Sequence, residues 1–66
     1  MKEETKKTYN KNNQIIRELE YDQGELTSVV IYKYYKNFYV IKRWCFYYQE
    51  LYVEIMNYKN KKRITP

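Results

Sequence analysis

Val29-Val30-Ile31-Tyr32-Lys33-Tyr34-Tyr35 decides the fold. Every residue in it but Lys33 is β-branched or aromatic, the types that fit a pleated, half-buried surface. Phe38-Tyr39-Val40-Ile41-Lys42-Arg43-Trp44-Cys45-Phe46-Tyr47-Tyr48 follows after two polar residues, and Leu51-Tyr52-Val53-Glu54-Ile55-Met56-Asn57-Tyr58 after two more. Upstream, 14–21 has the same character. No stretch repeats apolar residues at helical spacing for long enough to argue a helix. The expectation is an all-β chain, a four-stranded antiparallel meander over 14–21, 26–35, 38–48 and 51–58.

The turns set the expected registers. Asp22-Gln23-Gly24 suits a three-residue loop with the chain's single glycine closing a bulge. That loop pairs Tyr21 with Glu25, Leu19 with Thr27 and Ile15 with Ile31. Lys36-Asn37 fits a two-residue turn that pairs Tyr35 with Phe38 and Val29 with Trp44. Gln49-Glu50, assigned by length, pairs Tyr48 with Leu51, Phe46 with Val53 and Trp44 with Ile55. Alternation then divides the side chains between two faces. One carries Val29, Ile31, Trp44, Phe46, Val53 and Ile55 as a core or dimer face, interrupted by Arg17, Lys33 and Lys42. The other carries Tyr32, Tyr34, Tyr39, Arg43, Tyr47 and Tyr52, with Glu18, Glu20 and Glu54 among them.

Flanking this 14–58 domain, residues 1–13 are polar, lack apolar periodicity and read as a flexible arm. Residues 59–66 form a basic tail carrying Lys59, Lys61, Lys62 and Arg63. The chain repeats itself weakly at an offset of 25: Tyr9, Lys11, Asn12, Ile16, Glu25 and Leu26 recur as Tyr34, Lys36, Asn37, Ile41, Glu50 and Leu51. An aromatic residue precedes each turn, as in Tyr9-Asn10-Lys11-Asn12, Tyr21-Asp22-Gln23-Gly24 and Tyr58-Lys59-Asn60-Lys61. That punctuation resembles the variant MORN-type repeat, some bacterial examples of which are antitoxin-like. The resemblance implies a linear meander serving as a binding scaffold.

Chemistry is sparse. Without histidine the chain lacks the commonest general base and the commonest metal ligand, and Cys45 has no partner to activate it. One glycine cannot build a phosphate-cradling loop. A non-enzymatic protein with no cofactor and no metal is expected. A lone thiol, no apolar run long enough to span a bilayer and no signal-like N-terminus point to the cytoplasm. The net charge of +5 has a partly compositional source, since Lys, Asn, Ile and Tyr, all encoded by AT-rich codons, make up 32 of 66 residues. That bias and the small size point toward a phage or other mobile element.

Tyrosine and arginine supply large contact area at low entropy cost and are enriched at interface hot spots. The tyrosine face is therefore expected to bind a protein partner, as an inhibitor, antitoxin-like or accessory factor. The alternatives are RNA or single-stranded DNA stacked on the same face and held by the basic tail, or a small anionic nucleotide. Glu18, Glu20 and Glu54 on that face repel phosphate and favour protein. A single sheet leaves its apolar side uncovered, so a face-to-face homodimer is expected, with Trp44→Glu destroying the fold.

Overall fold

A computed structural model describes residues 3–58. It contains five strands, not four: β1 (Glu3–Tyr9), β2 (Ile15–Asp22), β3 (Glu25–Tyr34), β4 (Phe38–Cys45) and β5 (Glu50–Asn57). They pair antiparallel in the order β1-β2-β3-β4-β5, a meander with β1 and β5 at its edges. The body is 15 Å along its shortest axis. Two packed sheets would lie about 10 Å apart before their outer side chains were counted, so this is one layer.

The added strand comes from the stretch expected to be an arm. Every β1 residue is exposed, so no apolar alternation announces it. It is held by backbone pairing with β2, from Glu3↔Asp22 to Tyr9↔Ile15, and by side chains such as Lys6, whose Nζ lies 5.2 Å from the centre of the Tyr21 ring. The asparagines after it build a turn. Asn10 Oδ1 accepts hydrogen bonds from the amides of Asn12 (2.9 Å) and Gln14 (3.0 Å), and Asn13 takes φ 63°. Asparagine side chains imitate backbone turns in this way and tolerate the left-handed region. A charged, polar strand at the sheet edge also discourages pairing with other chains.

The β3–β4 register is the expected one, with Val29 opposite Trp44 and the Tyr35 amide donating to the Phe38 carbonyl at 2.8 Å. The other two expected registers are corrected. Between β2 and β3 the turn is the two-residue Gln23-Gly24, with φ 52° and 83°, a type I′ geometry. The bulge sits farther along the hairpin, where Thr27 Oγ1 donates to the Glu20 carbonyl, so Leu19 faces Val29 rather than Thr27. Between β4 and β5, Phe46 stays tied to Thr27 by a 3.0 Å backbone bond, and residues 46–49 form a four-residue loop with Gln49 at φ 53°. Trp44 consequently faces Leu51, and Val40 faces Ile55. A two-residue Gln49-Glu50 turn would have needed a left-handed glutamate as well.

Both corrections displace the pairing by an even number of residues, so the faces survive. Strand alternation places Arg17, Leu19, Val29, Ile31, Lys33, Phe38, Val40, Lys42, Trp44, Leu51, Val53 and Ile55 on one side. The other side holds Glu18, Glu20, Ser28, Val30, Tyr32, Tyr34, Tyr39, Ile41, Arg43, Cys45 and Tyr52. The most deeply buried residues lie on this second, tyrosine side: Val30 is 0 % exposed and Ser28 is also buried.

Candidate functional site: two faces of opposite character

Val30 is sealed by polar side chains lying over it. Arg43 stands opposite Val30 on β4, and its Nη1 reaches across β3 to Glu20 Oε1 on β2 at 2.7 Å. The Tyr32 hydroxyl donates to Glu18 Oε1 at 2.5 Å, a second strap from β3 to β2. Beyond it the tyrosines form a row: Tyr32 is stacked with Tyr34 along β3 (6.5 Å between ring centres), Tyr34 is tilted against Tyr39 on β4 (5.6 Å) and Tyr39 against Tyr58 (5.4 Å). The Tyr34 hydroxyl donates to the Ile15 carbonyl at 2.5 Å. These rings bury apolar area while each strapped hydroxyl has an internal acceptor.

The tyrosines' acidity follows from these contacts. Burial, then the hydrogen bond and charge of Glu18, push the Tyr32 hydroxyl far above the ordinary tyrosine range. Burial and then the neighbouring Tyr39 and Tyr58 raise Tyr34. Tyr52 is raised chiefly by donating to Glu50 Oε2 at 2.9 Å.

The sequence-predicted partner-binding residues therefore divide. Tyr32, Tyr34 and Tyr39, joined by Tyr58, form one aromatic cluster, and Arg43 is engaged with Glu20 beside it. Tyr52 is exposed and lies across from Arg43 on the edge strand. Tyr47 stands apart in the β4–β5 loop, 86 % exposed and in edge contact with Tyr48 at 4.9 Å. Cys45 is a half-buried free thiol near the Ser28 hydroxyl (3.8 Å). The basic-tail residues Lys59, Lys61, Lys62 and Arg63 lie outside the described residues.

The opposite face is open. Val29, Ile31, Trp44 and Ile55 are half-buried, while Phe46 (44 %), Leu51 (57 %) and Val53 (43 %) are exposed. Charge is sorted between the two sides as well. Glu3, Glu18, Glu20, Asp22, Glu25, Glu50 and Glu54 all fall on the tyrosine side, and Glu4 is the one carboxylate of the described residues on the apolar side. Lys6, Arg17, Lys33 and Lys42 stand on the apolar side. Arg17 pairs across from Ile31, Ile31 from Lys42, and Lys33 from Val40. Arg17 and Lys42 are thus each a diagonal neighbour of Lys33, about 7–8 Å away between backbones. All three are exposed, and the Arg43–Glu20 bridge lies on the other side.

This sorting was within reach of the sequence. Arg17, Lys33 and Lys42 read there as interruptions of an apolar face. Their grouping became visible only when the registers set them diagonal to one another. Among the described residues no group of histidine, cysteine, aspartate or glutamate is placed to hold a metal ion, and no helix is long and apolar enough to cross a membrane. Compared with protein-family models, curated proteins and solved structures, the chain matches none of them.

Proposed function

We propose that this all-β protein is a non-enzymatic binding module whose working surface is the apolar, cationic face and whose partner is anionic. The observation that carries the reading is the sorting of charge: Arg17, Lys33 and Lys42 cluster in the middle strands of a face with no carboxylate near them. Covering that face with a purely apolar partner would desolvate three unpaired cations, at a cost of several kcal/mol each. A second copy packed face to face, the arrangement expected from the sequence, would add three like charges to the three already there. An anionic partner instead gains from both the apolar area and the charges. The tyrosine side is less available, because its central hydroxyls and Arg43 are already engaged internally. A binding role is also what the resemblance to MORN-type scaffolds implies.

Retention on a heparin column, an anionic polymer support, tests the reading. Lys42→Glu should elute at markedly lower salt than the parent chain, while Lys7→Glu, the same change of charge on the other side of the sheet, should elute close to it. Equal displacement by both variants would mean that overall charge, not this face, governs binding.

A further inference from the structure

The rings on the cationic face are placed as deliberately as the charges. Trp44 and Phe46 meet edge to face at 6.2 Å at one end of the β3–β4 pair. Tyr35 and Phe38 stack at 4.8 Å at the other end. Trp44 stands six residue steps along β4 from Phe38, about 20 Å at roughly 3.3 Å per residue. Lys42 and Lys33 lie between the two ring pairs on the same two strands, with Arg17 one strand away. A shallow hollow of about 330 Å³ opens beside Arg17 and Lys33, lined by residues of both faces: Thr8, Ile16, Arg17, Ile31, Tyr32 and Lys33.

From this alternation of ring, cation and ring we infer that the face is a platform for single-stranded nucleic acid, laid along β3 and β4. This rests on the anionic-partner reading above and names the partner's class. Single strands present what the track presents in complement: planar bases that stack on exposed rings, and phosphates between them that seek cations. Base stacking on aromatic side chains tolerates any sequence, so the platform is expected to read shape and charge rather than a base order. A lone small anion would use the cations and leave both ring pairs idle. An acidic protein segment would satisfy the charges without calling for flat rings about 20 Å apart on either side of them. The glutamates that repel phosphate on the tyrosine side are absent from this one, Glu4 at the outer strand excepted.

The span fits only a few nucleotides, the low end of the roughly 4–16 covered by a single OB-type sheet domain. Each neutralised phosphate on a single strand contributes about 0.7 to the slope of log affinity against log salt. Three to four contacts, from Arg17, Lys33 and Lys42 with Lys6 beside them, give a slope of about −2 to −3. Raising salt from 50 to 200 mM should then weaken binding about 20- to 50-fold.

Fluorescence anisotropy with a labelled ten-nucleotide oligothymidylate, run in parallel with labelled polyglutamate, tests the inference. The expected result is oligothymidylate binding with that slope. Lys42→Ala should flatten the slope by about 0.7. Phe46→Ala should weaken binding about 5- to 150-fold and leave the slope alone, because a ring neutralises no phosphate. Both substituted side chains are exposed, so circular dichroism should show the parent fold, and Lys7→Ala should bind as the parent does. Polyglutamate binding without oligothymidylate binding overturns the nucleic-acid inference and leaves an acidic protein as the partner. Failure of both probes at 50 mM salt removes the anionic-partner reading as well. Oligothymidylate binding that neither Lys42→Ala nor Phe46→Ala alters would place the site elsewhere and overturn the inference.

Discussion

Val29 and Val30 are adjacent, identical in chemistry and on opposite faces, so truncating each to alanine measures which face is the core. Val30 is 0 % exposed beneath the Arg43–Glu20 and Tyr32–Glu18 straps, whereas Val29 is half-buried on the open side. Removing two buried methyl-sized groups forfeits about 0.8 kcal/mol apiece in transfer energy. The cavity left under crosslinked neighbours brings the expected cost of Val30→Ala to about 2–3 kcal/mol. Val29→Ala empties a site that water already reaches, and should cost below about 1.5 kcal/mol. Both changes lose the same β-propensity, so the difference between them isolates burial.

A chain of 66 residues has a total stability of roughly 3–10 kcal/mol. Val30→Ala should therefore lower the melting temperature by roughly 10–20 °C, against a few degrees for Val29→Ala. Urea titrations followed by Trp44 fluorescence and by circular dichroism would give both free energies. Equal costs, or a larger one for Val29→Ala, would refute the reasoning. A Val29→Ala cost that grew with protein concentration would show that a second copy closes the apolar face in solution.

Three further outcomes follow from particular contacts. Gly24→Ala should cost about 1 kcal/mol, since φ 83° strains any L side chain although a new Cβ would meet nothing within 4 Å; Gln23→Asn should recover a few tenths by supplying the preferred type I′ pair, both read by thermal melting. Tyr32 is held neutral in the fold, while the unfolded chain ionises its tyrosines near pH 10, so stability should fall as pH rises above about 10. Tyr32→Phe should flatten that alkaline decline, whatever it does to stability at neutral pH. Lys42→Val should enlarge the apolar patch and remove one repelling charge, so light scattering should report self-association that the parent chain resists at equal concentration.

The sheet was legible wherever a buried face forced a period of two. β2 to β5 alternate because one side of each strand meets the straps and tyrosines and the other the apolar rows, and a one-residue slip would exchange them. That constraint fixes the face of a residue but not its neighbour along the strand. Both register corrections were even displacements for this reason, and they came from loops whose chemistry was ambiguous. Gln23-Gly24 can close either a two-residue or a three-residue hairpin, and nothing in Phe46-Tyr47-Tyr48-Gln49 marks four residues of loop. β1 had no such constraint. It buries nothing, and its membership rests on backbone bonds and on an asparagine turn whose donors and acceptors only geometry reveals.

The candidate residues were legible by type, and their contacts were not. Tyr32, Tyr34 and Tyr39 do gather, as the alternation implies, but their hydroxyls find Glu18 and the Ile15 carbonyl, and the rings then serve the fold as its roof. A face that satisfies its own polar groups has less to offer a ligand than one that does not. The three cations opposite have the reverse history: each is a local fault in an apolar strand. Register turns three separate faults into one cluster, because Lys33 falls diagonal to both Arg17 and Lys42. Like charges set that close in the middle of a sheet weaken the free protein. Something negative lying across all three, as proposed, answers their joint presence, and the rings at either end are what would distinguish a single-stranded nucleic acid from another anion.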